Sequence, residues 1–136
     1  MNKKFCITVI VLALIIIPAF FIIEGNNKKN AVKKSFISEI DKLIEVEGVN
    51  KVNRDDFNRI SLTIGRPYWD EMNQKERFDY IDGFCYYVSV AASKDNVWKY
   101  ADSIMVSVYT TDDNTRLILA DILPNNGIEI YEQKEW

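Results

Sequence analysis

Residues Asp70–Ser93 read DEMNQKERFDYIDGFCYYVSVAAS. Phe78, Ile81, Cys85, Val88 and Ala92 recur there at alternating three- and four-residue intervals, the period of one helical face. The stretch predicts the longest helix of a water-soluble domain. It starts at Trp69 or Asp70, with Asp70 as N-cap and Glu71 in the electropositive first turn. Gly83 interrupts the pattern at a cost of about 1 kcal/mol against alanine, which points to close packing at that position.

Before this helix, Asn58–Ile64 alternates, with Ile60, Leu62 and Ile64 on one side, the pattern of a half-buried strand. Gly65-Arg66-Pro67 ends it. After the helix, Lys94–Ala101 reads as a loop. Ser103–Tyr109 is a second strand, with Ile104, Val106 and Val108 inward. Arg116–Leu123 is apolar on both faces, as a central strand is. Ile128–Glu132 is a short last strand, with Ile128 and Ile130 inward and Glu129 and Tyr131 outward. Thr111–Asn114 and Pro124–Gly127 have the composition of turns.

Further toward the N-terminus, Val49–Asp56 reads as a polar connection. Ala31–Glu47 is a helix with Phe36, Ile37, Ile40, Leu43 and Ile44 on one face and Gly48 as its stop. The order α-β-α-β-β-β predicts an α+β domain over residues 31–136: two helices packed on a mostly antiparallel four-stranded sheet.

Residues 1–24 have a different texture. Phe5–Ile23, FCITVIVLALIIIPAFFII, carries no charge over nineteen residues. As a helix it would be about 28 Å long, close to the hydrocarbon thickness of a bilayer. Met1-Asn2-Lys3-Lys4 is a basic start such as a signal peptide has. However, Phe20, Phe21, Ile22 and Ile23 stand where a peptidase needs small residues. The sequence therefore predicts a single-pass transmembrane anchor over 1–24 and a polar linker over 25–30. A secreted small domain released by cleavage is the alternative. Lys28, Lys29, Lys33 and Lys34 outnumber Lys3 and Lys4, which argues for a cytoplasmic C-terminal side. A short basic tail before an apolar run, followed by a long domain, argues for the reverse, and an extracytoplasmic domain at the cell membrane is the orientation expected.

Composition removes several function classes. Without Lys3 and Lys4 the chain holds 15 basic against 20 acidic residues, a poor balance for nucleic-acid binding, which requires clustered Lys and Arg. The absence of histidine removes the commonest general base and metal ligand. Cys85 lies on the apolar stripe with no histidine to activate it, so an inert core thiol is expected. Glu71, Glu76, Asp79 and Asp82 lie along the helix beside Lys75 and Arg77 and read as a solvated face. Asp55-Asp56 and Asp112-Asp113 lack the ligand spacing of a calcium loop. No catalytic residue, metal or cofactor is assigned.

The remaining candidates are aromatic. Tyr68, Trp69, Tyr80, Tyr87, Trp98 and Tyr100 gather around the long helix, and Tyr80 and Tyr87 fall off its core stripe. Tyrosine and tryptophan are enriched at binding surfaces because they pair apolar area with a polar tip. These six are the candidate binding residues. The function expected is protein binding or accessory work at the envelope. A carboxylate-based envelope hydrolase is the other reading.

Overall fold

A computed structural model describes the backbone of residues 3–112 and 114–133 and the side chains of 22–54, 56–112, 114–125 and 127–131. The chain divides into two units, 1–31 and 32–136. Helix α1 spans Lys3–Asp41. Residues 25–30, whose Gly and Asn content suggests a turn-forming connection, are helical. Within the first unit Glu24 and Lys28 pair one turn apart at 3.1 Å. Among the described residues no helix is long and apolar enough to cross a membrane. The side chains of Phe5–Phe21, on which the anchor reading rests, lie outside the described residues.

The second unit is α+β, with helices packed on a five-stranded mixed sheet. Strands β1 (Val49–Asp56), β2 (Arg59–Ile64), β3 (Ile104–Thr110), β4 (Arg116–Leu123) and β5 (Gly127–Gln133) lie side by side in chain order. β1–β2, β3–β4 and β4–β5 pair antiparallel, whereas β2–β3 is parallel, with Leu62 beside Val108. A parallel pair needs a crossover, supplied here by α2 (Arg66–Glu71) and α3 (Gln74–Lys94).

One expectation about the sheet is corrected. It has five strands, because Val49–Asp56 is an edge strand and not a connection. Its Asn50, Lys51, Asn53, Arg54 and Asp56 side chains face water, so no apolar alternation marks it. Three of the four ladders are antiparallel, as expected, and the sheet is mixed because the crossover returns the chain parallel to β2.

The long helix is also redrawn. Its N-cap is Asn73, not Asp70. The Asn73 side chain accepts from the Glu76 N–H at 3.0 Å, and the Glu76 carboxylate accepts from the Asn73 N–H at 2.8 Å. This reciprocal capping box separates α3 from the short α2, which opens with Pro67 in its first turn. The buried stripe of α3 is Ile81, Phe84, Cys85, Val88, Ala91 and Ala92. Phe78 is 51% exposed. Phe84 replaces it in the core, because the sheet lies toward the 81/84/88 side of the helix.

The core takes Phe36, Ile40 and Leu43 from the α1 end, Trp69 from α2, and alternate residues of β2, β3 and β4. Each fully buried large side chain contributes roughly 1.5–3 kcal/mol of transfer free energy. Ile44 is exposed: α1 ends at Asp41, and Lys42–Glu45 continues as a 3-10 turn that rotates it outward. Ile128 and Ile130 sit opposite Ile122 and Ala120 on the helix-covered face, yet remain 38% and 47% exposed because β5 is the sheet's edge.

Candidate binding groove

Tyr80, Gly83 and Tyr87 follow helical spacing along one flank of α3, beside Phe84 of its buried stripe. Facing them are Lys42, Leu43 and Val46 from the 3-10 turn after α1. Together with Asp79 these residues enclose a pocket of about 360 Å³. A second hollow of about 560 Å³, lined by Tyr68, Glu71, Met72, Glu76, Asp79 and Tyr80, adjoins it through the shared Asp79 and Tyr80. The two form one groove along α3. One half has apolar walls and the other an acidic rim.

Hydrogen bonds and ring contacts fix the walls. Tyr87 donates its hydroxyl to the Glu39 carbonyl at 2.9 Å, beside the Glu39 carboxylate at 3.4 Å. Tyr80 donates to the Glu47 carbonyl. The Tyr80 ring packs edge-on to Phe84 at 4.7 Å and tilted against Tyr68 at 5.5 Å. Each such aromatic pair adds about 0.5–1.5 kcal/mol beyond area burial. Burial pushes the Tyr80 phenol up, with Tyr68 and Glu47 adding to it. Burial, then Glu39, raises Tyr87. Both hydroxyls therefore remain protonated donors at neutral pH. The Glu39 carboxyl is held below its usual range by its hydrogen bond from Lys42, with Lys94 assisting. Lys42 is thereby tied down at the groove mouth and its ammonium group kept charged.

Two glycines shape the groove. Gly48 has φ +86°, and a Cβ there would run into the Tyr68 ring, within 2.6 Å of its Cε1. The absence of a side chain lets Tyr68 lie flat on the chain at that turn. Gly83 is different. A Cβ there would meet nothing within 4 Å, so the close packing expected from sequence is absent. A mid-helix glycine costs about 1 kcal/mol against alanine, and no internal contact of α3 requires this one. It leaves the floor of the pocket open.

Of the six sequence candidates, Tyr68, Tyr80 and Tyr87 come together here. Trp69 does not: it is fully buried under α3, with the Arg77 guanidinium 5.0 Å from its ring centre. Trp98 and Tyr100 pack half-buried around the 3-10 turn Val97–Lys99 and line neither hollow. The Trp98 indole donates to Ser93 Oγ at 3.3 Å. Lys42, Leu43, Val46, Gly83 and Phe84, which complete the groove, are not among those six. Their one local signal is Gly83 placed midway between two off-stripe tyrosines.

The groove contains no thiol. Cys85 is buried on the opposite flank of α3, and burial, with Asp82 adding, pushes its thiol up to about 11. Glu71, Glu76 and Asp79 are exposed. Among the described residues no group of three or more acidic or cysteine side chains is placed to hold a metal ion. The geometry suits non-covalent capture of an apolar or aromatic side chain, in a volume within the usual range for ligand sites. No protein-family model, curated protein or solved structure matches the chain.

Proposed function

We propose that this chain is a single-pass membrane protein of the cell envelope whose 32–136 domain lies outside the cytoplasm and binds a protein partner through the tyrosine groove. The uncharged run Phe5–Ile23 after Lys3-Lys4 supports the anchor. The observation that carries the binding reading is Gly83. A helix interior that gives up about 1 kcal/mol for empty space, between two clamped tyrosines, keeps room for a side chain that the chain itself does not supply. The partner's anchor residue is apolar or aromatic, seated against Leu43, Val46 and Phe84. The acidic rim at Glu71, Glu76 and Asp79 favours a neighbouring positive charge on the partner.

A photoreactive amino acid at Val46 tests this in intact membranes. A discrete crosslinked adduct is expected, and Gly83→Leu, which fills the pocket without disturbing the helix, should abolish it. Survival of the adduct in Gly83→Leu removes the groove from the reading. Retention of the full-length chain through carbonate extraction tests the anchor separately, and recovery of a soluble product about 25 residues shorter replaces it with a cleaved signal.

A further inference from the structure

The sheet leaves β1 and β5 as its outer strands, and the two edges differ. β1 is blunted: its pairing with β2 is broken by two register shifts, it carries Lys51 and Arg54, and Arg54 is bound to Asp41 at 2.9 Å. Bulges and charges of this kind discourage further strand pairing. β5 is regular over Gly127–Ile130, and its single register shift falls between the Ala120 and Leu119 partners. Its outer backbone N–H and C=O groups face no strand among the described residues.

Side chains extend this edge on both faces. On the helix side a cavity of about 130 Å³ runs between α3 and β5, lined by Phe78, Cys85, Ile118, Ile128 and Ile130, with Asp82 at its rim. On the opposite face Glu129 lies directly across from Asp121. Like charges opposed across a ladder destabilise it. Here the Tyr131 hydroxyl bridges them, 3.0 Å from Asp121 Oδ2 and 3.2 Å from Glu129 Oε2. Asp121 Oδ1 is buried and accepts no hydrogen bond from the described residues. The edge thus presents an open strand, an apolar slot on one side and an undercompensated pair of carboxylates on the other.

We propose that β5 accepts an extended segment of another protein by strand addition, a segment in which apolar residues alternate with Lys or Arg. Its apolar side chains enter the slot beside Ile128 and Ile130. Its cations stand opposite Glu129 and Tyr131 and neutralise the Asp121–Glu129 pair. Backbone hydrogen bonds supply the docking, and the alternation supplies the choice of partner. A second copy of this chain is a poor occupant. Antiparallel self-pairing centred on this strand sets Glu129 against Glu129 and compounds the repulsion already present.

The test uses the full-length chain, isotope-labelled, in a non-ionic detergent, with two synthetic ten-residue peptides. One alternates valine with lysine and the other valine with glutamate. The lysine peptide should shift and protect the amides of residues 127–131, and its affinity should fall as salt rises. Glu129→Lys, at an exposed position, should weaken it at least tenfold while the rest of the amide spectrum stays folded. The glutamate peptide should leave β5 unchanged. Equal binding of both peptides would reduce the edge to an unselective apolar patch. Shifts confined to the tyrosine groove, or concentration-dependent shifts of β5 without peptide, would assign the partner or the occupant elsewhere. Absence of any shift with the lysine peptide would end the proposal.

Discussion

Gly48→Ala is the perturbation that best probes how the groove is built. Two costs add. Alanine at φ +86° meets the left-handed penalty of roughly 1–2 kcal/mol. The new methyl also overlaps the Tyr68 ring, and overpacking of this kind costs typically about 1–3 kcal/mol. The total is about 2–5 kcal/mol. For a domain of this size each kcal/mol moves the melting temperature on the order of 4–8 °C. Thermal melts of the full-length chain in detergent, followed by near-ultraviolet circular dichroism, should therefore fall by at least about 8 °C. The decisive comparison is the same substitution in a Tyr68→Ala background. The ring is gone, the overlap vanishes, and only the backbone cost of about 1–2 kcal/mol remains. Gly48→Asn makes the complementary split: asparagine tolerates positive φ but keeps the Cβ, so the clash persists while the backbone cost shrinks. Equal cost of Gly48→Ala with and without Tyr68, within about 0.5 kcal/mol, would refute the placement of Tyr68 on Gly48 and with it the wall of the groove.

Three further outcomes are expected. Asn73→Ala removes the side-chain half of the capping box, the bond from the Glu76 N–H, and should cost about 1 kcal/mol by denaturant titration, whereas Asp70→Ala should cost less, since Asp70 caps nothing. Ile81→Asp places an unpaired charge at a position 2% exposed and should cost more than about 3 kcal/mol, abolishing the cooperative melt; an intact melt would put the core elsewhere. Tyr131 is raised to about 12 by its hydrogen bonds to Asp121 and then Glu129. Apart from the raised Tyr80 and Tyr87 that both proteins keep, the difference in 295 nm absorbance between the native chain and Tyr131→Phe should therefore show one phenol titrating well above the ordinary value near 10. Because the folded value lies above the unfolded one, its stabilising contribution is present below about pH 10 and lost as pH rises through about 12.

The α3 stripe is legible in the sequence because its face is buried along its length, yet the pattern does not say which flank meets the sheet. Phe78 and Phe84 are equally apolar, and three-dimensional placement alone sends one out and the other in. β2, β3 and β4 were readable because one face of each is fully buried and the other is not. β1 was not, because Lys51, Asn53 and Arg54 all face water, and its two inward residues, buried Val49 and half-buried Val52, stand three apart across a register shift and so do not alternate. The parallel seam carried a faint signal, a strand-helix-strand order that permits a crossover without requiring one. The groove was half visible. Tyr80 and Tyr87 stood off the stripe, but their partners Lys42, Leu43 and Val46 lie about forty residues upstream, on a 3-10 turn whose outward face looks like any solvated helix end. Sequence cannot distinguish a glycine that admits a neighbour from one that leaves a void, so Gly83 carries the same signature as a packing glycine.

The parallel pairing of β2 with β3 also orders the assembly of the domain. β1–β2 is a hairpin, and β3–β4–β5 is a meander, so each block closes through contacts near in sequence. The two blocks meet along one seam, where Ser61 and Ser107 share a hydrogen bond at 3.0 Å across a separation of 46 residues. Closing that loop costs about 3 kcal/mol of chain entropy plus a constant, and it yields no strand pairing until α2 and α3 are shaped to span it. The seam is therefore the slowest joint to form and the first to part. Amide exchange in the native protein should open along β2–β3 before it opens within β3–β4, so the domain comes apart as two sheets of two and three strands.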